Sequence, residues 1–128
     1  MDVTKIENSC SLRKGFCDTC NSHFMKLRPS IKEVTISKHF RRDLKDEQKI
    51  NLIVKNVLDC SHMEFHELHK FEKNIDDNFV FRARKGNMHI LYCITKDRKI
   101  IFLRAIRNYD EYKKLLEDKN MLKKIIEV

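Results

Sequence analysis

The 128-residue sequence has only two glycines and one proline, which leaves little room for flexible linkers, so most of the chain is expected to be ordered. No run of about 18 apolar residues occurs, so no membrane-spanning helix is expected. The first ten residues, MDVTKIENSC, contain no apolar core of the kind a secretory signal needs. Five cysteines is an odd number, and without a secretory signal their expected state is reduced. These absences point to a cytoplasmic protein that does not enter membranes.

What is present is charge. Charged residues make up 36% of the chain and hydrophobic residues 41%. The charges alternate with Ile, Leu, Val and Phe, a mixture that disordered segments lack. The net charge is +8, and between Arg82 and Arg107 there are eight Lys or Arg against the single acid Asp97. Nearly all of the excess therefore sits in one stretch, and the remainder is close to neutral. A concentrated basic patch suits a polyanion.

The length favours one domain with a short appendage. Residues 1–30 form the appendage and residues 31–128 the domain. In the appendage Cys10, Cys17, Cys20 and His23 give the pattern C-x6-C-x2-C-x2-H. Two thiolates separated by two residues can face one tetrahedral zinc, so this set is a candidate structural zinc site. The plain alternative is an extension that carries free thiols. No βαβ pattern surrounds the pair, which argues against a thioredoxin-like role.

From Ile31 the pattern becomes regular. IKEVTI alternates as a strand does, with Val34 and Ile36 on one face and Glu33 and Thr35 on the other. Ser37 is placed to cap a helix that carries Phe40 and Leu44. The period slips at Asp46, and a second helix follows with Ile50, Ile53, Val54, Val57 and Leu58. Residues 59–77 read as an amphipathic connector that packs Phe65, Leu68 and Phe71 and exposes His62, His66 and His69. Metal binding by these histidines is geometrically open, but no motif is completed.

The basic stretch reads as a three-stranded meander. A two-residue turn at Lys85–Gly86 or at Gly86–Asn87 leaves every side chain on the same face. One face carries Phe79, Phe81, Ala83, Met88, Ile90, Tyr92 and Ile94. The other carries Val80, Arg82, Arg84, His89, Leu91 and Cys93. A second turn at Asp97–Arg98 pairs Leu91 with Arg104 and His89 with Ile106, which adds Arg104 to the cationic face. A single C-terminal helix is expected from about Asn108, carrying Tyr109, Tyr112, Leu115, Leu116, Leu122, Ile125 and Ile126. The fold class is α+β, with an antiparallel sheet.

Guanidinium forks grip phosphates and stabilise charge on a phosphorane, and a neutral histidine can accept the proton of a 2′-hydroxyl. Arginines, a histidine and a nearby tyrosine are thus the parts of a metal-independent ribonuclease. The competing explanation is that the arginines only balance acids elsewhere.

The order strand, two helices, connector, then strands ending in Arg-x-x-x-x-Tyr resembles the RelE/ParE superfamily of type II toxins over about residues 31–116. FRARKGNMHILYCI is similar to the family's (K/R)-x-R-x-G-x-(R/H)-x-x-Y region, and RAIRNYDEY to its Arg-rich turn followed by Tyr. The resemblance implies a RelE-like fold and cleavage of mRNA on the ribosome without a catalytic cofactor. It also implies a cognate antitoxin that neutralises the toxin, with a heterotetramer as the expected assembly. It implies catalytic roles for Arg82, His89, Arg107 and Tyr112, and RNA contacts by Arg84, Lys85, Arg104 and Tyr109. His89 stands where RelE usually has an arginine. Two other readings share the fold: a ParE-like gyrase inhibitor and a catalytically silent binding protein.

Overall fold

The computed structural model describes residues 31–59 and 69–127. The cysteine segment and the expected connector positions Cys60, His62, Phe65, His66 and Leu68 lie outside the described residues. Among the described residues the chain forms β1 (Glu33–Ile36), α1 (Lys38–Leu44), α2 (Glu47–Leu58), β2 (His69–Ile75), β3 (Asn78–Lys85), β4 (Met88–Ile94), β5 (Lys99–Ile106), α3 (Tyr109–Glu117) and α4 (Lys119–Ile126). The five strands make one sheet in the order β1-β5-β4-β3-β2. The fold is α+β, as expected, and mostly antiparallel.

Local chemistry explains most boundaries. The Ser37 hydroxyl accepts from Phe40 N–H and starts α1, while also donating to the Leu103 carbonyl at 2.9 Å. One buried serine thus caps a helix and ties it to the sheet. The slip at Asp46 is a second cap, its carboxylate accepting from the N–H groups of Gln48 and Lys49. Lys45 between the helices is left-handed at φ 59°, so the two form a hairpin.

Three expectations about the elements are corrected. First, β1 runs parallel to β5, with Val34 opposite Ile100 and Ile36 opposite Phe102. After the helical hairpin β2 runs opposite to β1, and the three reversals through β3 and β4 bring β5 back parallel to it. Second, the end of the expected connector is a strand, β2, paired with β3 from His69–Ala83 to Ile75–Asn78. The antiparallel set therefore has four strands. Asp76 and Asp77 both have positive φ, as a two-residue type I′ turn requires. His69 is buried rather than exposed, and its Nδ1 lies 2.7 Å from the Tyr92 hydroxyl. Third, the C-terminal helix breaks at Asp118, which ends α3 and caps α4 by accepting from Met121 N–H.

The β3–β4 turn is Gly86–Asn87, with Lys85 opposite Met88 and Arg84 opposite His89. Gly86 has φ +62° and nothing within 4 Å of a Cβ placed on it. Gly86→Ala is therefore expected to cost only backbone strain, about 1 kcal/mol. Thermal unfolding should show it; an unchanged melting temperature would mean that the turn relaxes freely.

The β4–β5 connection differs from the expected two-residue loop. Lys96, Asp97 and Arg98 make a three-residue loop in which Arg98 is left-handed, at φ 66°. Ile94 then faces Ile100 and Tyr92 faces Phe102. A bulge at Leu103 shifts the register by one residue, so Leu91 faces Arg104 and His89 faces Ile106, as expected from the sequence. The deviation at the loop and the deviation at the bulge cancel.

Helices cover both faces of the sheet. On one, Phe40, Ile50, Ile53 and Val57 of α1 and α2 pack on Phe81, Ile90, Tyr92, Ile94, Ile100 and Phe102. On the other, Tyr112, Leu115, Leu122 and Ile125 of α3 and α4 pack on Val80, Leu91, Cys93, Leu103 and Ile106. Each large apolar side chain fully withdrawn from water contributes about 2 kcal/mol before entropy is counted. The face expected to be cationic is therefore half core. Its Val80, Leu91 and Cys93 are covered, and only its end near the β3–β4 turn is polar. Burial pushes the Cys93 thiol up to about 12, which leaves it unreactive.

Candidate functional site

The polar end of the second face is built by four elements. Arg82 and Arg84 come from β3, where alternation sends both to one side. His89 comes from β4, directly opposite Arg84. Tyr109 and Tyr112 come from the first turn of α3, which Asn108 caps by accepting from Glu111 N–H at 2.9 Å. Three-residue spacing puts the two tyrosines on the same helix face.

The rings form a stack. His89 lies on Tyr112 with centroids 4.7 Å apart and planes 16° from parallel. Tyr109 tilts against His89 at 5.8 Å and is 55% exposed, so it forms an open aromatic ledge. The Arg82 guanidinium carbon sits 6.0 Å from the Tyr112 ring centre, in cation–π range. Tyr112 itself is buried, and its hydroxyl donates to the Glu72 carboxylate.

The fourth element, β2, supplies Glu72. Phe71 faces Phe81 but Lys73 faces Val80, so Glu72 is the extra residue of a β-bulge. Phe71 packs on the α1–α2 side, so alternation sends the Glu72 carboxylate to the side covered by α3 and α4, and the bulge puts Lys73 on that side as well. Its side chain is 9% exposed, and Lys70 Nζ lies 3.9 Å away.

Electrostatics makes His89 a neutral base. Burial lowers its pKa first, and the charges of Arg82 and Arg84 lower it further, with Glu72 opposing them. The free base is thus the form present at neutral pH. The Tyr112 pKa is raised by burial and by the Glu72 hydrogen bond and charge, which keeps that phenol protonated. Among the described residues, Arg82 Nε and His89 Nδ1 are buried nitrogens without a hydrogen-bond partner. Two neighbouring orphaned nitrogens mark a place where a ligand's polar atoms can complete the bonding.

The expected site residues divide into two groups. Arg82, His89, Tyr112 and Tyr109 are brought together, with Arg84 exposed beside them. Lys85 is exposed at the end of the β3–β4 hairpin, and Arg107 is exposed at the junction of β5 and α3. Arg104 does not join the cationic face as a free charge. Its Nε bonds Asp43 Oδ2 at 2.7 Å, and its Nη2 reaches Asp43 Oδ1 and Glu111 Oε2. Burial works against its charge, but the Asp43 hydrogen bond and charge outweigh this, so its pKa is raised. Arg104 is a clamp between α1 and α3. Glu72 was missed by sequence reasoning, because its strand was assigned to a connector. The two-residue Asp76–Asp77 turn between segments 69–75 and 78–85 was the available signal.

A hollow of about 330 Å³ lies on the opposite face, floored by Ile53, Ala83 and Ile90. Its rim includes Asp59 and His69, the residues that bound segment 60–68, and it contains neither His89 nor Tyr112. The chemistry therefore centres on the stack and not on the hollow. Among the described residues there is no cluster of His, Cys, Asp or Glu able to hold a metal, and no helix long and apolar enough to cross a membrane. The candidate zinc set Cys10, Cys17, Cys20 and His23 lies outside the described residues. No family model, curated protein or solved structure matches this chain.

Proposed function

We propose that the chain is a RelE-type toxin, a metal-independent endoribonuclease that cleaves mRNA on the ribosome. The observation that carries this reading is a neutral His89 with a free Nδ1, flanked by Arg82 and Arg84 and stacked on a tyrosine. An inhibitor that only binds has no use for an unprotonated imidazole held between two guanidinium groups.

In this mechanism the backbone phosphate of RNA sits against Arg82 and Arg84. His89 takes the proton of the adjacent 2′-hydroxyl, and the 2′-oxygen attacks phosphorus. The P–O5′ bond breaks and the 5′-oxygen takes a proton from water, leaving a 2′,3′-cyclic phosphate and a 5′-hydroxyl. The guanidinium groups neutralise the charge that gathers on the phosphorane oxygens. Tyr112 orients His89 and does not donate, because its hydroxyl is committed to Glu72. Tyr109, exposed at the mouth, supplies a stacking surface for a base. Lys85 and Arg107 extend the cationic rim along which the RNA backbone runs. A cognate antitoxin of acidic character would cover this rim, consistent with the local excess of positive charge.

The test is expression in a growing culture followed by mapping of mRNA ends in a translation extract. Growth arrest with new 5′-hydroxyl ends inside open reading frames is expected. Intact mRNA accompanied by failure of DNA supercoiling would replace this reading with gyrase inhibition.

A further inference from the structure

We propose that Glu72 is a positioning residue of this site, holding the Tyr112 ring through its hydroxyl in the plane on which His89 stacks. The inference deepens the ribonuclease reading and rests on it for its kinetic consequences, but its geometric content stands independently.

Glu72 is a carboxylate with nine-tenths of its side chain out of solvent. Such a group costs several kcal/mol in desolvation unless it is well partnered. Its recorded partners are the Tyr112 hydroxyl, which donates to it, and the Lys70 ammonium at 3.9 Å. An apolar residue could fill the same volume without that cost, so stability alone does not explain a carboxylate here. Its position is also specific. Phe71 on one face puts Glu72 on the other, the side of α3, and the bulge gives the place opposite Val80 to Lys73.

The geometry continues to the imidazole. A phenol ring tethered at its hydroxyl cannot slide or tilt freely, so a ring stacked on it at 4.7 Å and 16° is fixed as well. His89 is reached by Arg82 and Arg84 from β3, by Tyr109 and Tyr112 from α3 and by the charge of Glu72 from β2. Its neighbour on β5 is the apolar Ile106. Glu72 is thus the negative group among those acting on the imidazole, and it opposes the lowering caused by burial and the two arginines.

The experiment follows the His89 ring protons by NMR during a pH titration of the full chain, alongside cleavage kinetics. In the native protein these protons are expected to be shifted upfield by the Tyr112 ring. In Glu72→Ala the upfield shift is expected to disappear, and kcat to fall by about 100-fold with little change in KM, as for a misplaced catalytic group. Glu72→Gln keeps an oxygen for the tyrosine to donate to. It should preserve the ring shift and recover much of kcat, while His89 titrates at lower pH because the negative charge is gone. Tyr112→Phe keeps the ring and severs the tether, so it should lose the upfield shift.

If Glu72→Ala does not fold, the other two variants decide. An unchanged His89 titration in Glu72→Gln together with an unchanged ring shift in Tyr112→Phe overturns the proposal. If the native protein cleaves no RNA, the ribonuclease reading falls and the NMR result still decides the role of Glu72.

Discussion

Replacing His89 with alanine is expected to lower mRNA cleavage by about 100-fold or more, the usual loss when a positioned general base is removed. Arg82→Ala should cost about as much, through lost stabilisation of phosphorane charge. Circular dichroism should remain native in both, because neither side chain belongs to the apolar clusters on the two faces. The pH dependence has a definite sign. The fold holds His89 below the ordinary histidine value of 6.5, so its base form persists into mildly acidic solution. The acidic limb of the cleavage profile should therefore lie below 6.5 and vanish in His89→Ala. Stability follows the same linkage. The unfolded chain binds this proton more readily than the folded one, so the histidine's contribution is complete above 6.5 and is lost as pH falls through the lower folded value. Full cleavage by both variants would remove these residues from the mechanism.

Asp43→Ala is expected to destabilise the fold by about 2–4 kcal/mol, measured by urea unfolding. Asp43 accepts three hydrogen bonds: two from the Arg104 guanidinium, at 2.7 and 3.2 Å, and one from Ala105 N–H at 2.8 Å. The last closes the edge of β5 where β1 has already ended. Without the carboxylate, a guanidinium only 22% exposed would retain Glu111 at 3.4 Å as its acid. An uncompensated half-buried charge and an unpaired edge N–H would add their costs. Access of water to both side chains keeps the expected loss below that of a fully buried pair. A change under 1 kcal/mol would show that Asp43 is dispensable and that α1 is held by Phe40 and Ser37 alone.

How far these features could be read in advance depends on how sharply each residue's chemistry discriminates. Ser37 announced the start of α1 because capping needs an oxygen at one position and at few others, whereas Asp46 was legible only as a slip in the apolar period. Arg82, Arg84 and His89 were assigned to one face because they alternate with Phe81, Ala83, Met88 and Ile90, whose burial permits only one pleat. β5 offered no such contrast. Ile100, Ile101, Phe102 and Leu103 are all apolar, and since helices cover both faces the sequence is silent on which residue points where. The expected pairing near the loop was accordingly one residue out. For Arg104 the register was legible but the partner was not, since Asp43 lies 61 residues away and charge counting does not reveal who neutralises whom. Glu72 was hidden because its strand was read as a connector: a bulge between Phe71 and Lys73 puts Phe71 and Ile75 on opposite faces, so segment 69–75 shows no regular alternation.

The cancelling loop and bulge of β5 also bear on the order in which the chain folds. A regular hairpin with a two-residue loop uses the same residues and the same chain length as the bulged one. It would exchange Ile100 and Phe102 with Ile101 and Leu103 between the two faces. Local pairing of β4 with β5 is therefore nearly degenerate and cannot commit the chain by itself. The contact that distinguishes the registers is distant: Phe40 packs against Phe102 with ring centroids 5.5 Å apart, and β1 pairs alongside. The rate-limiting structure should then already contain α1 docked on β5. Phe40→Leu should lower the folding arm of the chevron plot rather than raise only the unfolding arm. A variant that folds at the native rate and merely unfolds faster would show that the strand finds its register before the helix arrives.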